Sequence, residues 1–315
     1  MSKSILGLCC MVDQLRKTKI EKNGKLVNTE IFCSRTMRLA NFTVEKAKEK
    51  ALQNLDDLLT LLDYCRIHKI KCFRISSDLF PLILDDNYQP KYSLDFAKDK
   101  LIKIGEFAKS HGIYLLVHPC QLVNLASPNL QVFELSKAIL LHHLNFLEMM
   151  GTDSTSVMII HLGGSYGDKK ETKKVWVQRF AELPKSVSER IVIENCERQY
   201  NIRDCLDIHY QTGVSVVFDT HHYECYNLIH PGEFKETPDQ FLPEVVKTWE
   251  SRIPVFHISN QRENSKIGAH SDYIENVPDY LLEFLKTYVI RLEVEAKKKE
   301  LAIFKLREKY SHIFE

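Results

Sequence analysis

The sequence predicts a single (β/α)8 barrel, and three observations carry the prediction. Eight short apolar runs recur along the 315 residues with helix-patterned segments between them, the alternation from which a barrel of parallel strands is built. The runs are apolar at consecutive positions rather than at every second one, as strands covered on both faces must be. The last six end in histidine, aspartate or glutamate, and closure into a barrel brings all such ends onto one rim. An open doubly wound sheet shares the alternation but does not gather those ends.

The first strand is expected over 4–10, SILGLCC. Residues 11–43 follow as a polar insert ending in FCSRTMRLANFT, and long loops on the strand-exit side of a barrel are usually functional. A helix is expected over 44–68, where Leu55, Leu58, Leu59 and Leu62 recur at helical spacing, as a helix packed on one face requires. The second strand, 71–77, leads into the turn-rich loop 80–93 and a helix over 94–112 that stops at Gly112. The third strand, 113–119, precedes a helix over 135–151 that stops at Gly151, glycine being the usual residue at a helix end. Strands are then expected over 156–162, 191–196, 214–220, 254–259 and 288–296. No linker cuts the chain, and a barrel takes about 250 residues as one unit, so residues 1–315 are read as one domain.

With 44% hydrophobic and 27% charged residues, the composition is that of a soluble globular protein. A net charge of +1 excludes a bulk-charge argument for nucleic-acid binding. Any basic surface must be local. The nine cysteines (Cys9, Cys10, Cys33, Cys65, Cys72, Cys120, Cys196, Cys205, Cys225) are an odd number in no CxxC frame, which reads as reduced thiols in an intracellular protein. The N-terminal apolar stretch is too short to span a membrane and lacks a cleavage pattern. A soluble monomer is expected, with no membrane partner; nucleus, cytoplasm and viral compartment stay open.

The strand ends carry the chemistry. YLLVHP ends in His118, VMIIHL in His161, IVIENC in Glu194, VSVVFDTHH in Asp219 and His222, VFHIS in His257 and IRLEVEA in Glu295, while GAHSDY adds His270 from the following loop. One histidine ending a buried strand is ordinarily hydrogen-bonded structure, and Glu194 alone could cap the next helix. Jointly, such groups in one barrel mouth are expensive to desolvate without a cation. Eight donors exceed the about four that one zinc takes, so two or three ions are expected. Mixed nitrogen and oxygen ligation suits zinc or manganese better than magnesium or calcium. Glu194, His118, His257 and Glu295 are the expected catalytic members of the set. Clustered divalent ions suit phosphodiester hydrolysis, by activating water and neutralising the phosphoryl and leaving oxygens; sugar isomerisation is the competing metal chemistry.

The remaining candidates read more plainly. His142, His143, His209 and His230 fall in helical or loop context and read as packing or surface residues. His221 yields to His222 on the D-x-x-H spacing. Lys169, Lys170, Lys173 and Lys174 read as a solvated helix start, and Lys297 to Lys299 as helix surface that could meet a phosphate backbone.

HPCQLVNLASP, IIHLGGSYGDK, IENCERQYN, FDTHH, FHISNQ, GAHSDYI and LEVEAKKKE occur in that order, with SRTMRLANFT and FRISSDLFP before them. In these motifs the chain resembles the UV damage endonucleases, relatives of the metal-dependent AP endonucleases, from about residue 5 to about residue 300. The resemblance implies that His118, His161, Glu194, Asp219, His222, His257, His270 and Glu295 bind three metals. It implies cleavage of DNA immediately 5′ to cyclobutane dimers and (6-4) photoproducts, leaving a 3′-hydroxyl and a 5′-phosphate, by in-line attack of a metal-activated hydroxide. It also exposes departures. The wedge pair is Gln121-Leu122 where the family carries Gln-Tyr, an apolar wedge without the aromatic stacking surface. Leu8 and Val12 occupy slots that are often aromatic and asparagine, and Val255 occupies one that is commonly lysine. Expected DNA contacts are Gln121, Leu122, Leu8, Ser34, Arg35, Arg38, Arg74 and Ser76, with Asp78, Tyr166 and Gln261 beside them. The alternatives are an AP-site endonuclease with weakened lesion recognition, a sugar isomerase, and a damage-binding protein whose catalysis has decayed.

Overall fold

The computed structural model describes residues 3–16, 18–22 and 24–315. Eight parallel strands close into a barrel: Ile5–Cys9, Cys72–Ile75, Tyr114–Val117, Met158–His161, Ile191–Glu194, Ser215–Asp219, Val255–Ile258 and Arg291–Val294. Each pairs with its sequence neighbours, and the first strand closes the ring against the eighth (Ile5 opposite Arg291) and the second (Gly7 opposite Cys72). All eight expected strands form. All are shorter than expected because their terminal residues leave the ladder, so His118 follows the third strand rather than ending it. One joint is thin: the third and fourth strands register only through Val117 and Met158, with Val117 N donating to Val157 O at 3.0 Å.

Two apolar layers hold the barrel. Ile5, Cys72, Leu116, Val157, Ile159, Val192, Val217 and Val255 fill its lower interior with Trp249. Arg291 is buried at that end with its guanidinium on the carbonyls of Thr155 (2.7 Å) and Ile253 (2.8 Å), and it stacks over Tyr114 at 4.9 Å. A larger layer lies between the strands and the helices around them. Leu8 and Val12 belong to it.

The helix Val44–Ile67 starts where the Thr43 side chain accepts from Lys46 N, and it buries Ala47, Ala51, Leu55, Leu58 and Leu62 on one face. The helix expected over 94–112 is Lys98–Ser110, entered through a 3-10 turn at Asp95–Ala97. The one expected from 135 starts at Leu130, because Asn129 accepts from Gln131 N and caps it there. Gly112 (φ +64°) and Gly151 (φ +67°) adopt the left-handed conformation expected past these helices. The insert 11–43 holds a short helix, Asp13–Arg16, and an antiparallel hairpin of Thr18–Lys22 with Lys25–Thr29. None of the described helices is long and apolar enough to cross a membrane.

His142 and His143 are packing residues, as expected. They lie buried in the helix Leu130–Met149, where His142 meets Phe80 and Phe146 edge-on and His143 Nδ1 donates to Ile139 O at 2.7 Å. Burial lowers them to about 3 and about 4 respectively. The unfolded chain therefore binds protons that the native chain refuses as pH falls below about 6.5. Stability should decline through that window at ~1.4 kcal/mol per pH unit for each histidine. Urea unfolding of His142→Phe should show a fall between pH 6.5 and 5 smaller than wild type's by ~1–2 kcal/mol. An identical fall would mean that His142 titrates normally.

Candidate metal centre

Strand ends facing across the barrel mouth converge on Glu194, which is 1% exposed. Its Oε2 lies 3.2 Å from His118 Nε2 and 3.7 Å from His161 Nε2, and its Oε1 lies 2.9 Å from His257 Nδ1 and 3.3 Å from His222 Nδ1. Asp219 Oδ2 is 3.7 Å from both His222 Nδ1 and His257 Nδ1. Glu295 lies 3.5 Å from His257 Nδ1 and 3.6 Å from His270 Nδ1. Three overlapping sets result: His118, His161 and Glu194; Glu194, Asp219 and His222; Asp219, His257 and Glu295. Within each set the donor atoms lie within 4.8 Å of one another. Glu194 and Asp219 are each shared by two sets, as expected of carboxylates in a cluster.

The residues fit divalent cations on grounds independent of their number. Asp219 Oδ2 and His161 Nδ1 are buried polar atoms without a hydrogen-bond partner among the described residues, and buried polar groups are ordinarily satisfied. His118, His222 and His270 direct Nδ1 to the carbonyls of Pro119 (3.1 Å), Asn195 (2.9 Å) and Glu295 (2.8 Å). At His118 a proton held at Nδ1 leaves Nε2, which faces Glu194 Oε2 at 3.2 Å, as the lone-pair donor. Burial pushes Asp219 up. At Glu194 burial is outweighed by His257 and His161, which hold the carboxyl well below its usual range. Burial likewise opposes charge on His257, yet Glu194 raises it to about 10, whereas burial takes His161 down to about 4. The mouth thus retains positive charge at its centre, and an entering cation displaces a proton from that place.

Seven of the eight expected donors fall in these sets; His270 stands beside them, its Nδ1 3.6 Å from Glu295 Oε2. Glu293, two residues before Glu295, was not anticipated; it accepts from Arg74 Nε and His257 Nε2 at 2.9 Å each. Asn195 is a second unanticipated residue, its side chain bridging the backbone N and O of Asp219 at 2.8 and 3.0 Å.

The expected DNA contacts divide. Gln121 is exposed, and so is Leu122, at 61%, on the loop after His118. Tyr166, 49% exposed, stands beside them with its hydroxyl accepting from Asn124 Nδ2 at 2.6 Å. That contact ties the loops after the third and fourth strands together, and Gly163 (φ +92°) lies so close to Asn124 that a Cβ there would be 2.5 Å from its Oδ1. A 190 Å3 cavity opens at this seam against His118, Cys120, Gln121, His161 and Cys196. Arg38 is exposed and shares a surface depression with Lys46 and Lys50. Asp78 is exposed and Ser34 half-buried.

The others are engaged with the protein itself. Leu8 is fully buried on the outer face of its strand, against the helices. Arg35 pairs with Asp57 at 2.6 Å, donates to Phe32 O and Glu30 O, and stacks on Phe32, anchoring the insert. Arg74 is turned into the barrel, onto Glu293 and onto Glu295 at 2.5 Å. Ser76 is buried and accepts from Asp78 N. Gln261 closes the loop bearing His270, accepting from Gly268 N and donating to Lys266 O at 2.9 Å each. His221 is buried against Gln261, and His209 and His230 contact backbone carbonyls. Lys169 and Lys173 pair with Asp204, and Lys174 with Glu171, while Lys170 is exposed. Lys297 and Lys298 precede the last helix, Glu300–Lys309, and their amides donate to Ser271 O and Asp272 O.

The chain is similar to a putative UV-damage endonuclease of Acanthamoeba polyphaga mimivirus, 35% identical over 92% of this chain and 90% of that protein. A UV DNA damage endonuclease of Clostridium perfringens is 32% identical over 89% of this chain and 67% of its own length. The crystal structure of SacUVDE superposes with a TM-score of 0.80 at 27% identity, covering 97% of this chain and 99% of that one. The sequence model of the UV-endonuclease UvdE family matches residues 6–315. Together with the barrel and its metal-ligating rim, these likenesses establish that the chain belongs to the UV-endonuclease UvdE family.

Proposed function

We propose that the chain is a metal-dependent DNA repair endonuclease that nicks the phosphodiester immediately 5′ to UV photoproducts, cyclobutane dimers and (6-4) photoproducts, leaving a 3′-hydroxyl and a 5′-phosphate. The observation that carries the reading is the set of three overlapping donor groups sharing Glu194 and Asp219. They suit two to three divalent cations, manganese or zinc, held by His118, His161, Glu194, Asp219, His222, His257, His270 and Glu295. When bound, such cations activate water and neutralise the charge on the phosphoryl and leaving oxygens. Glu194 and Asp219, each belonging to two sets, would be the carboxylates shared between neighbouring cations. The histidine Nδ1 contacts to backbone carbonyls fix the rings before substrate arrives. All donors come from one chain, so the centre is complete in a monomer acting on damaged double-stranded DNA.

Gln121, Leu122 and Tyr166 form the proposed surface against the base stack. They stand on the loops that carry His118 and His161, so bases parted there lie beside the metal centre. The exposed Leu122 favours one alternative, an AP-site endonuclease, because an abasic site leaves no base to stack on a ring. End-labelled duplexes carrying one thymine dimer, one (6-4) photoproduct, one abasic site or no lesion, assayed with manganese, separate the readings. Nicks directly 5′ to a photoproduct are expected; nicks only at the abasic site establish the alternative. In the same assay Leu122→Tyr should raise photoproduct nicking severalfold, up to about tenfold, since a base–aromatic stack contributes about 1–3 kcal/mol. Abasic nicking should not change. An unaltered photoproduct rate would mean that other residues part the stack.

A further inference from the structure

Glu293 lies wholly inside the barrel, with one carboxylate oxygen serving two partners. Its Oε2 accepts from Arg74 Nε at 2.9 Å and faces His257 Nε2 at 2.9 Å. The opposite nitrogen of the same ring, Nδ1, looks into the metal centre, 2.9 Å from Glu194 Oε1, 3.5 Å from Glu295 Oε1 and 3.7 Å from Asp219 Oδ2. A neutral imidazole has one N–H and one lone pair, and the partner of one nitrogen decides which nitrogen holds the proton. Arg74 Nη2 also lies 3.2 Å from Nε2, but the Glu293 carboxylate is nearer, at 2.9 Å, and keeps the proton on Nε2, which leaves the Nδ1 lone pair for a cation. His257 is thus turned the other way round from His118, whose Nδ1 rests on the Pro119 carbonyl while its Nε2 faces Glu194.

The strand register builds this clamp. Glu293 stands opposite His257 on one neighbouring strand and opposite Gly7 on the other. A Cβ at residue 7 would lie 3.1 Å from Glu293 Cγ, so the glycine leaves the room that the buried carboxylate occupies. Arg74 completes it by spanning Glu293 and Glu295, which offsets buried negative charge that would otherwise be strongly destabilising.

We propose that Glu293, held by Arg74, is a positioning residue of the metal centre that fixes the His257 ring with Nδ1 toward Glu194, Asp219 and Glu295. The inference rests on the reading of the rim as a metal centre and is independent of which DNA lesion is cut. Manganese titration calorimetry without DNA tests it. Glu293→Met should weaken the site served by His257 by about 10–100-fold, the usual effect of removing a partner of a metal-bound histidine. Glu293→Gln, whose amide oxygen still accepts from Nε2, should recover most of that loss. Because Glu293→Met leaves the buried Arg74 charge with Glu295 alone, the double variant Arg74→Met/Glu293→Met removes both charges. It should unfold at or above the temperature of the single variant and still bind manganese weakly. Gly7→Ala, which displaces Glu293 without changing any charge, should weaken manganese binding in the same direction. Wild-type affinity in the folded double variant, or Glu293→Gln as weak as Glu293→Met, would overturn the proposal. A wild-type chain that binds manganese but ignores photoproducts would overturn only the lesion assignment.

Discussion

Glu194→Gln should lower nicking by at least about a thousandfold, ~4 kcal/mol in barrier height, while the protein stays folded. The carboxylate sits where two donor sets meet, so its loss removes a ligand from both at once. Glutamine keeps the size and can still hydrogen-bond His118 and His257, which preserves the ring positions in the metal-free state. It cannot neutralise the positive charge of a cation or bridge two of them with equal oxygens. Calorimetric titration should accordingly show at least one manganese equivalent lost, together with near-native circular dichroism. Nicking within tenfold of wild type would refute the shared-carboxylate arrangement.

Gly105→Ala should destabilise the fold by about 3 kcal/mol or more, without touching the rim. Gly105 lies in the helix Lys98–Ser110, where the next helix ends against it. A Cβ there would come within 1.7 Å of Met150 O and 2.6 Å of its carbonyl carbon. The obstacle is backbone, which cannot rotate aside as a side chain can, so the two helices must separate. Both pack on the barrel through Leu101, Ile104, Phe133, Leu140 and Leu147, and moving either opens voids in that layer. Thermal unfolding of the purified variant measures the loss. Wild-type stability would mean that this helix pair is free to shift.

Where side chains sit along a strand was legible from sequence; where long ones point was not. The eight donors could be found because consecutive apolar residues mark a doubly covered strand, and His, Asp and Glu at the exits of such strands are conspicuous. Glu293 carried a usable signal that went unread. In LEVEA it shares the parity of Glu295, so both must face the same side of the strand. Arg74 showed its rim position but not its direction, which is set by Glu293 and Glu295 more than two hundred residues away. The intramolecular partners of Arg35 and Gln261 were hidden for the same reason, lying across an insert and a loop with no periodicity. The hairpin in the insert had a local cue, Asn23-Gly24 between short β-prone runs, which is a common two-residue turn.

The thin joint between the third and fourth strands gives the barrel one place to yield. The other seven junctions register through two to four residue pairs, while this one is fastened by Val117 against Met158. The loops on either side of it carry Leu122 and Tyr166, tied to each other above the joint by Asn124. Force applied between these loops would load the ring at its weakest stave and be taken up there before it reached Glu194. Backbone amides of Tyr114–Val117 and Met158–His161 should accordingly exchange with deuterium earlier than those of the first and eighth strands, and binding of nicked DNA should alter their rate most.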